Sequence, residues 1–303
     1  MQLGLEKFMP LTKQEAVYEV AQRNTTYWQD AWRRLKQNKM AMLGLCIITV
    51  LLCSALVGPI LSHYNYSDQD LLKANMPPSS DHWFGTDNLG RDLFIRVLYG
   101  ARISLSIGIV ASLLNLTVGV VYGGIAGLAG GKIDRFMMNI VDILYSVPVL
   151  LYVILLMVVL KPGLTNIFIA LGIAYWLQMA RIVRGQVLTI KEQEYVLAAR
   201  TIGASQWRIL FRHLIPNSMG VIIVTMTLAI PEAIFTEAFL SFIGLGVSAP
   251  MASWGVLASD GIASLRSYPF QLFFPAMAIS ITMLAFNFLG DGMRDALDPR
   301  MRR

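Results

Sequence analysis

Glu194–Pro216 reads EYVLAARTIGASQWRILFRHLIP, a polar and basic segment set between two long apolar runs. It reads as two short helices broken at Gly203. The first runs from about Lys191 to Ile202 and ends at a glycine that can take a positive φ. Ser205 then caps a second helix that continues through Leu214. Pro216 follows, as a break or as an early residue of the next element. Backbone exposed between two membrane spans must serve water or a partner. By pattern alone, the segment suits either an ordinary cytoplasmic loop or a docking surface.

The flanking runs set the class. The chain has 303 residues, of which 55% are hydrophobic and only 15% charged, with a mean hydropathy of +0.57. A soluble domain carries about a quarter charged residues. The apolar blocks are long enough to cross a bilayer, which takes roughly 20 residues of helix. The expected fold is an all-α integral membrane protein with six transmembrane helices: Met40–Leu61, Ile103–Gly131, Phe136–Leu160, Pro162–Ala180, Asn217–Ile243 and Ser267–Gly290. With these spans, 19 of the 25 Lys and Arg fall on one side. That asymmetry puts both termini and the Glu194–Pro216 segment in the cytoplasm. It also accounts for the net charge of +6 without a nucleic-acid partner. No apolar core lies near Met1, so a cleaved signal peptide is not expected.

Several features along the chain carry open readings. Tyr27–Lys39 places Trp28, Trp32 and Leu35 on one helix face with basic residues around them. This suits a helix lying at the membrane surface, or a basic flank that orients the first span. Gly119, Gly123, Gly127 and Gly131 recur every four residues, a stripe that lets another helix approach closely. Asp92 and Arg96 are spaced to pair on a short helix after a turn. Asp142 lies inside the third span and is either a functional group or a carboxyl bonded across a helix interface. Pro148 should kink that span. Glu232 and Glu237 lie in the fifth span, five residues apart, and point in different directions. They could line a polar path or pair with a neighbouring subunit.

Other chemistry is excluded. Cys46 and Cys53 would be about 10 Å apart along a helix, too far to bridge. The three His show no metal-ligand spacing, and no Walker motif, HExxH or GxSxG is present. No catalytic residue and no metal site are expected, and no bound cofactor. A secondary transporter would show internal repeats with spans broken at matching positions, and no convincing repeat is found.

Ala198-Ala199, Gly203 and Pro216 resemble the EAA loop of bacterial ABC importer permeases, whose pattern is Glu-Ala-Ala, three residues, Gly, nine residues, Ile-x-Leu-Pro. The chain departs from it with Leu197 for Glu, His213 for Ile and Ile215 for Leu. Gly85–Asp92, Glu237–Gly246 and the tail Asp291–Arg300 are similar to further motifs of the peptide-importer branch, C-type subunit. The resemblance implies a type I importer permease fold in the cytoplasmic membrane of a bacterium. It implies a second homologous permease, two cytoplasmic ATPase subunits that bind ATP and Mg, and an extracytoplasmic peptide-binding protein. Hydrolysis would then occur on the partners, and this chain would be a transport subunit, not an enzyme.

The same resemblance divides the chain into a cytoplasmic segment 1–39, a first span with an extracytoplasmic loop 40–100, a permease core 101–291 holding the coupling loop 191–216, and a tail 292–303. Gly203, Ala204 and Ser205 would form the docking turn. Ala198 and Ala199 would allow close approach to the ATPase, and Arg208 and Arg212 would meet its carboxylates, with Pro216 closing the motif. Asp142, Pro148, Glu232 and Glu237 are the candidate pathway residues. Oligopeptides are the expected substrate, with dipeptide or nickel transport as the alternatives within the family and ion-coupled secondary transport as the alternative outside it.

Overall fold

The computed structural model describes residues 26–298. The part of the expected cytoplasmic segment up to Thr25, and the part of the expected tail beyond Asp298, lie outside the described residues. Helix α1 (Tyr27–Gln37) opens with a capping box between Thr26 and Gln29. Asn38 breaks the chain for one residue, and its side chain accepts from the Met40 and Ala41 amides to start α2 (Lys39–Leu61). A polar segment then leads to α3 (Leu93–Ala129). After it come α4 (Gly131–Tyr145), α5 (Val149–Leu160) and α6 (Leu164–Ile190). Two short helices follow, α7 (Glu194–Thr201) and α8 (Gln206–Ile209), then a π-helical turn over Leu210–Leu214. Next are α9 (Ile215–Phe242), α10 (Trp254–Ala263) and α11 (Phe270–Leu297). Among the described residues there is no strand; the one isolated β-bridge joins Thr86 to Asp92.

Among the described residues, five helices are long and apolar enough to cross a membrane: α2, α3, α6, the run from Gln206 to Phe242, and α11. The sixth crossing follows from direction. Along α3, Gly119 meets Met179, Gly123 meets Ala180 and Gly127 meets Val187 of α6, so the two helices run parallel. The chain between two parallel neighbours must return the full distance. That return is α4 plus α5, bent by 80° at their junction. A single kinked span was expected here, and the structure has a broken one. Pro148 lacks an amide hydrogen and pushes Val147 away from helical geometry, and Ser146 turns its hydroxyl onto the Ile143 carbonyl.

The α3–α6 contact is the centre of the bundle, and it uses three of the four striped glycines. A Cβ on Gly123 would stand 2.2 Å from the Ala180 carbonyl oxygen, so no side chain fits. Gly131 lies past the end of α3, with nothing within 4 Å of its Cβ position. Around this pair, α9 runs antiparallel to α3, with Gly108 of α3 against Ile230 and Ile234. The far flank is α2 against α11, where Gly44 meets Ala285 and Leu289.

Both long spans begin or end where charges have been neutralised. Helix α3 starts ten residues before the expected Ile103, and α6 runs ten past Ala180. Arg184 on α6 holds Asp134 of α4 through two bonds of 2.5 and 2.7 Å, and Arg181 reaches Asp142 at 2.9 Å. The expected Asp92–Arg96 pair is not made. Asp92 instead caps α3 through the Ile95 amide at 2.8 Å and bonds His82 at 2.8 Å. Arg96 turns to Asp87 at 2.8 Å, which also binds Arg91 at 2.6 Å. A helix cap and a buried partner nine residues back outweigh an i,i+4 surface pair.

The basic loops gather at one end of the bundle. Tyr27 donates to the Leu297 carbonyl at 2.9 Å, joining α1 to the end of α11. Lys191 donates to the Gly127 carbonyl at 3.0 Å, joining the end of α6 to the end of α3. The opposite end holds residues 62–92 and α10, a helix in a stretch that the sequence presents as a loop. Trp254 explains it: its indole donates to the Val97 carbonyl at 2.9 Å and its side chain is buried against α3.

Candidate functional site

The hairpin of α7 and α8 sits at the basic end. Its turn is a Schellman motif: the Gly203 amide bonds the Arg200 carbonyl and the Ala204 amide bonds the Ala199 carbonyl, each at 3.0 Å. Gly203 takes φ +84°, and a Cβ there would meet nothing within 4 Å. Ser205 caps α8 through the Arg208 amide at 3.3 Å. The turn and the cap thus fall where the sequence places them. The second helix is interrupted, however, by the π-helical turn, in which the Ile215 amide reaches back five residues to Leu210. Pro216 lies in the first turn of α9 and does not break the helix. The wide turn before it absorbs the amide that proline lacks and relieves the clash with the preceding turn.

The hairpin has two faces. Val196, Ile209, Leu210 and Leu214 are buried against Val120, Met179, Val183 and Val187 of α3 and α6. The other face presents Ile202 at 85% exposure and Trp207 at 61%, with Phe211 stacked on Trp207 at 5.9 Å between ring centroids. Arg208 and Arg212 are exposed beside them and form no ion pair among the described residues. Ala198 is exposed and Ala204 half-buried, but Ala199 is buried. Of the two alanines expected to allow close approach, Ala198 is thus the one on the surface.

The four candidate pathway residues separate. Glu237 is wholly buried and accepts hydroxyls from Ser253 at 2.6 Å, Ser241 at 2.7 Å and Ser104 at 3.3 Å. This carboxylate ties α9, α3 and the start of α10 together. Asp142 is half-exposed in its bridge to Arg181, whose guanidinium also stacks 4.6 Å from the Tyr145 ring centroid. Pro148 forms the break between α4 and α5. Asp142 borders a polar cleft of about 690 Å³ between α4 and α6, whereas Glu232 borders a separate cavity of about 570 Å³ between α6 and α9. Gln178 and Gln186 of α6 and Asn217 and Thr225 of α9 share its wall. Their spacing could have found it: Asn217, Val221, Thr225, Leu228 and Glu232 recur at four, four, three and four residues, one face of a helix. Tyr27, Arg294, Leu297 and Asp298 close the space at the basic end. Among the described residues no three His, Cys, Asp or Glu side chains converge to hold a metal ion.

Comparisons with known proteins place this geometry. Residues 119–303 match the family described as binding-protein-dependent transport system inner membrane component. Residues 26–78 match the N-terminal TM domain of oligopeptide transport permease C. The chain is 57% identical over 285 residues to the oligopeptide transport system permease protein OppC of Bacillus subtilis, covering 94% of this chain and 93% of that one. It is also 57% identical over 285 residues to the dipeptide transport system permease protein DppC of the same organism, covering 94% and 89%. The OppC of Escherichia coli K12 is 44% identical over 277 residues, covering 91% and 92%. Among solved structures, a chain of the inward-facing MetNI methionine ABC transporter superposes with a TM-score of 0.55 at 18% identity, covering 68% of this chain and 96% of that one. That likeness identifies the type I importer permease fold.

Proposed function

Because the chain belongs to the family of binding-protein-dependent transport system inner membrane components, we propose that it is the C-type permease subunit of an ATP-driven peptide importer in a bacterial cytoplasmic membrane. Its relatives named for oligopeptide and dipeptide transport support a peptide substrate. Oligopeptides are favoured, because residues 26–78 match the corresponding segment of oligopeptide permeases. The subunit forms the translocation pathway with a second homologous permease. Two cytoplasmic ATPases bind ATP and Mg, and an extracytoplasmic binding protein delivers the peptide. This chain supplies the path and the coupling, and the bond-breaking chemistry belongs to the partners.

The observation that carries the proposal is the outer face of the α7–α8 hairpin. Ile202, Trp207 and Phe211 stand exposed at the basic end beside Arg208 and Arg212. Apolar anchors flanked by charges suit insertion into a groove on another protein. The buried face of the same hairpin rests on α3 and α6, so a displacement of the docked face is passed to the spans. Closing of the ATPase pair on ATP pulls the hairpin and turns the spans outward, and hydrolysis resets them.

The test is recovery of partners in mild detergent with a tag on this chain. Wild type should bring down two ATPases and a second permease. Gly203→Asp places a charged side chain on the free outer side of the turn and should lose the ATPases while keeping the second permease. Gly244→Asp is the matched control, since Gly244 has φ +82° and likewise an open Cβ position, at the opposite end of the bundle. It should retain all partners. Recovery of ATPases with Gly203→Asp at wild-type yield would remove the docking claim.

A further inference from the structure

Two glutamates lie within one turn and a half of α9, and the fold treats them oppositely. Glu237 receives three hydroxyl donors and no solvent. Glu232 receives none: its carboxylate takes no hydrogen bond and no ion pair among the described residues. An ionised side chain facing hydrocarbon costs several kcal/mol. Such a residue persists in a span when it faces water, a partner or a passing ligand. The structure gives Glu232 the first of these, since it borders the cavity between α6 and α9.

Around Glu232 the wall mixes apolar side chains such as Val224 and Leu228 with uncharged polar ones. Gln178, Gln186 and Thr225 offer amide and hydroxyl groups that can bond a peptide backbone in either sense. The cation of the wall, Arg294, stands at the basic end. Glu232 lies fifteen residues beyond Asn217, about 22 Å further along the helix. The wall is thus negative at mid-span around Glu232, while Arg294 and Asp298 place both signs at its mouth. A carboxylate with open valence at the wall of a cavity between two spans is a site for an ammonium group.

We propose that Glu232 is the cation-recognising group of this cavity, receiving the ammonium groups of a peptide as it passes between the two ends. This rests on the peptide-importer reading above. The permease then contributes to substrate preference, in addition to whatever the binding protein selects. Glu232 is a binding residue for the moving substrate, and its charge favours cationic peptides over neutral ones of equal length.

The complete complex is reconstituted in lipid vesicles, with binding protein loaded in turn with tri-lysine and with tri-alanine. Uptake of each and ATP hydrolysis are measured for wild type, Glu232→Gln and Glu232→Asp. The ratio of tri-lysine to tri-alanine uptake should fall about tenfold in Glu232→Gln, the scale of one charge-assisted bond. Glu232→Asp should recover most of the ratio, which a merely structural role would not require. An unchanged ratio overturns the proposal. So does an equal fall for both peptides; if the second permease is also lost, the carboxylate belongs to a subunit interface. Wild type that hydrolyses ATP but takes up neither peptide would overturn the importer reading itself, and the role of Glu232 with it.

Discussion

At the scale of single residues, a buried carboxylate shows how this fold uses polarity inside a membrane. Ser104 donates to Glu237 and accepts the Trp254 amide at 3.1 Å; Ser253 donates to Glu237 and accepts the Val256 amide at 3.1 Å. Each hydroxyl is committed in both directions, and such chains are costly to break in part. Glu237→Ala would leave three buried hydroxyls without their acceptor, at about 1–3 kcal/mol for each group left unsatisfied. The expected outcome is a clearly lower melting temperature in detergent, with Glu237→Gln closer to wild type. Equal melting of all three would dismiss the network. The sequence made both Glu232 and Glu237 conspicuous and told them apart in direction. It could not assign their roles, because Ser104 is 133 residues away and only folding brings it to Glu237. The same holds for Asp142, whose partner Arg181 lies across a span boundary drawn at Ala180.

At the scale of elements, packing between α3 and α6 rests on backbone approaching backbone. Gly123→Ala forces a methyl into the Ala180 carbonyl and should lower both melting temperature and abundance. Gly185→Ala is the contrasting change on α6, with open space at its Cβ position and an ordinary helical backbone. It should be neutral, or stabilising by about 0.5–1 kcal/mol through helix propensity. A melting series of the two variants decides the matter; a harmless Gly123→Ala would contradict the contact. The four-residue glycine spacing made a tight helix contact legible, but a stripe on one helix does not name its partner. Apolar length located the spans, but their ends depended on pairings such as Asp134–Arg184 and Asp87–Arg96 that cross between distant segments. Helix α10 was illegible for the same reason. Its ten residues are held by Trp254 and by Gly255 and Gly261 packing against α9 and α11, contacts with no local signature.

At the scale of the whole molecule, the charge asymmetry that was legible in the sequence becomes a geometric one, because α1, the α3–α4 junction, the α7–α8 hairpin and the end of α11 all meet at one end. The proposed orientation places that end in the cytoplasm. With Cys46 and Cys53 changed to serine, a membrane-impermeant maleimide applied outside should label Ser79→Cys and spare Ser205→Cys, both exposed positions. Labelling of Ser205→Cys alone would invert the topology. The π-helical turn at Leu210–Leu214 bears on the molecule as a whole in a further way. It holds one residue more than an α-turn, and one residue is worth about 100° of azimuth. The angular phase of Trp207 and Phe211 about the axis is thereby set independently of the phase of Thr225 and Glu232 on the same continuous rod. Torque applied at one end enters a shaft whose two working faces have been indexed to different bearings, and one widened turn is the whole of the gearing.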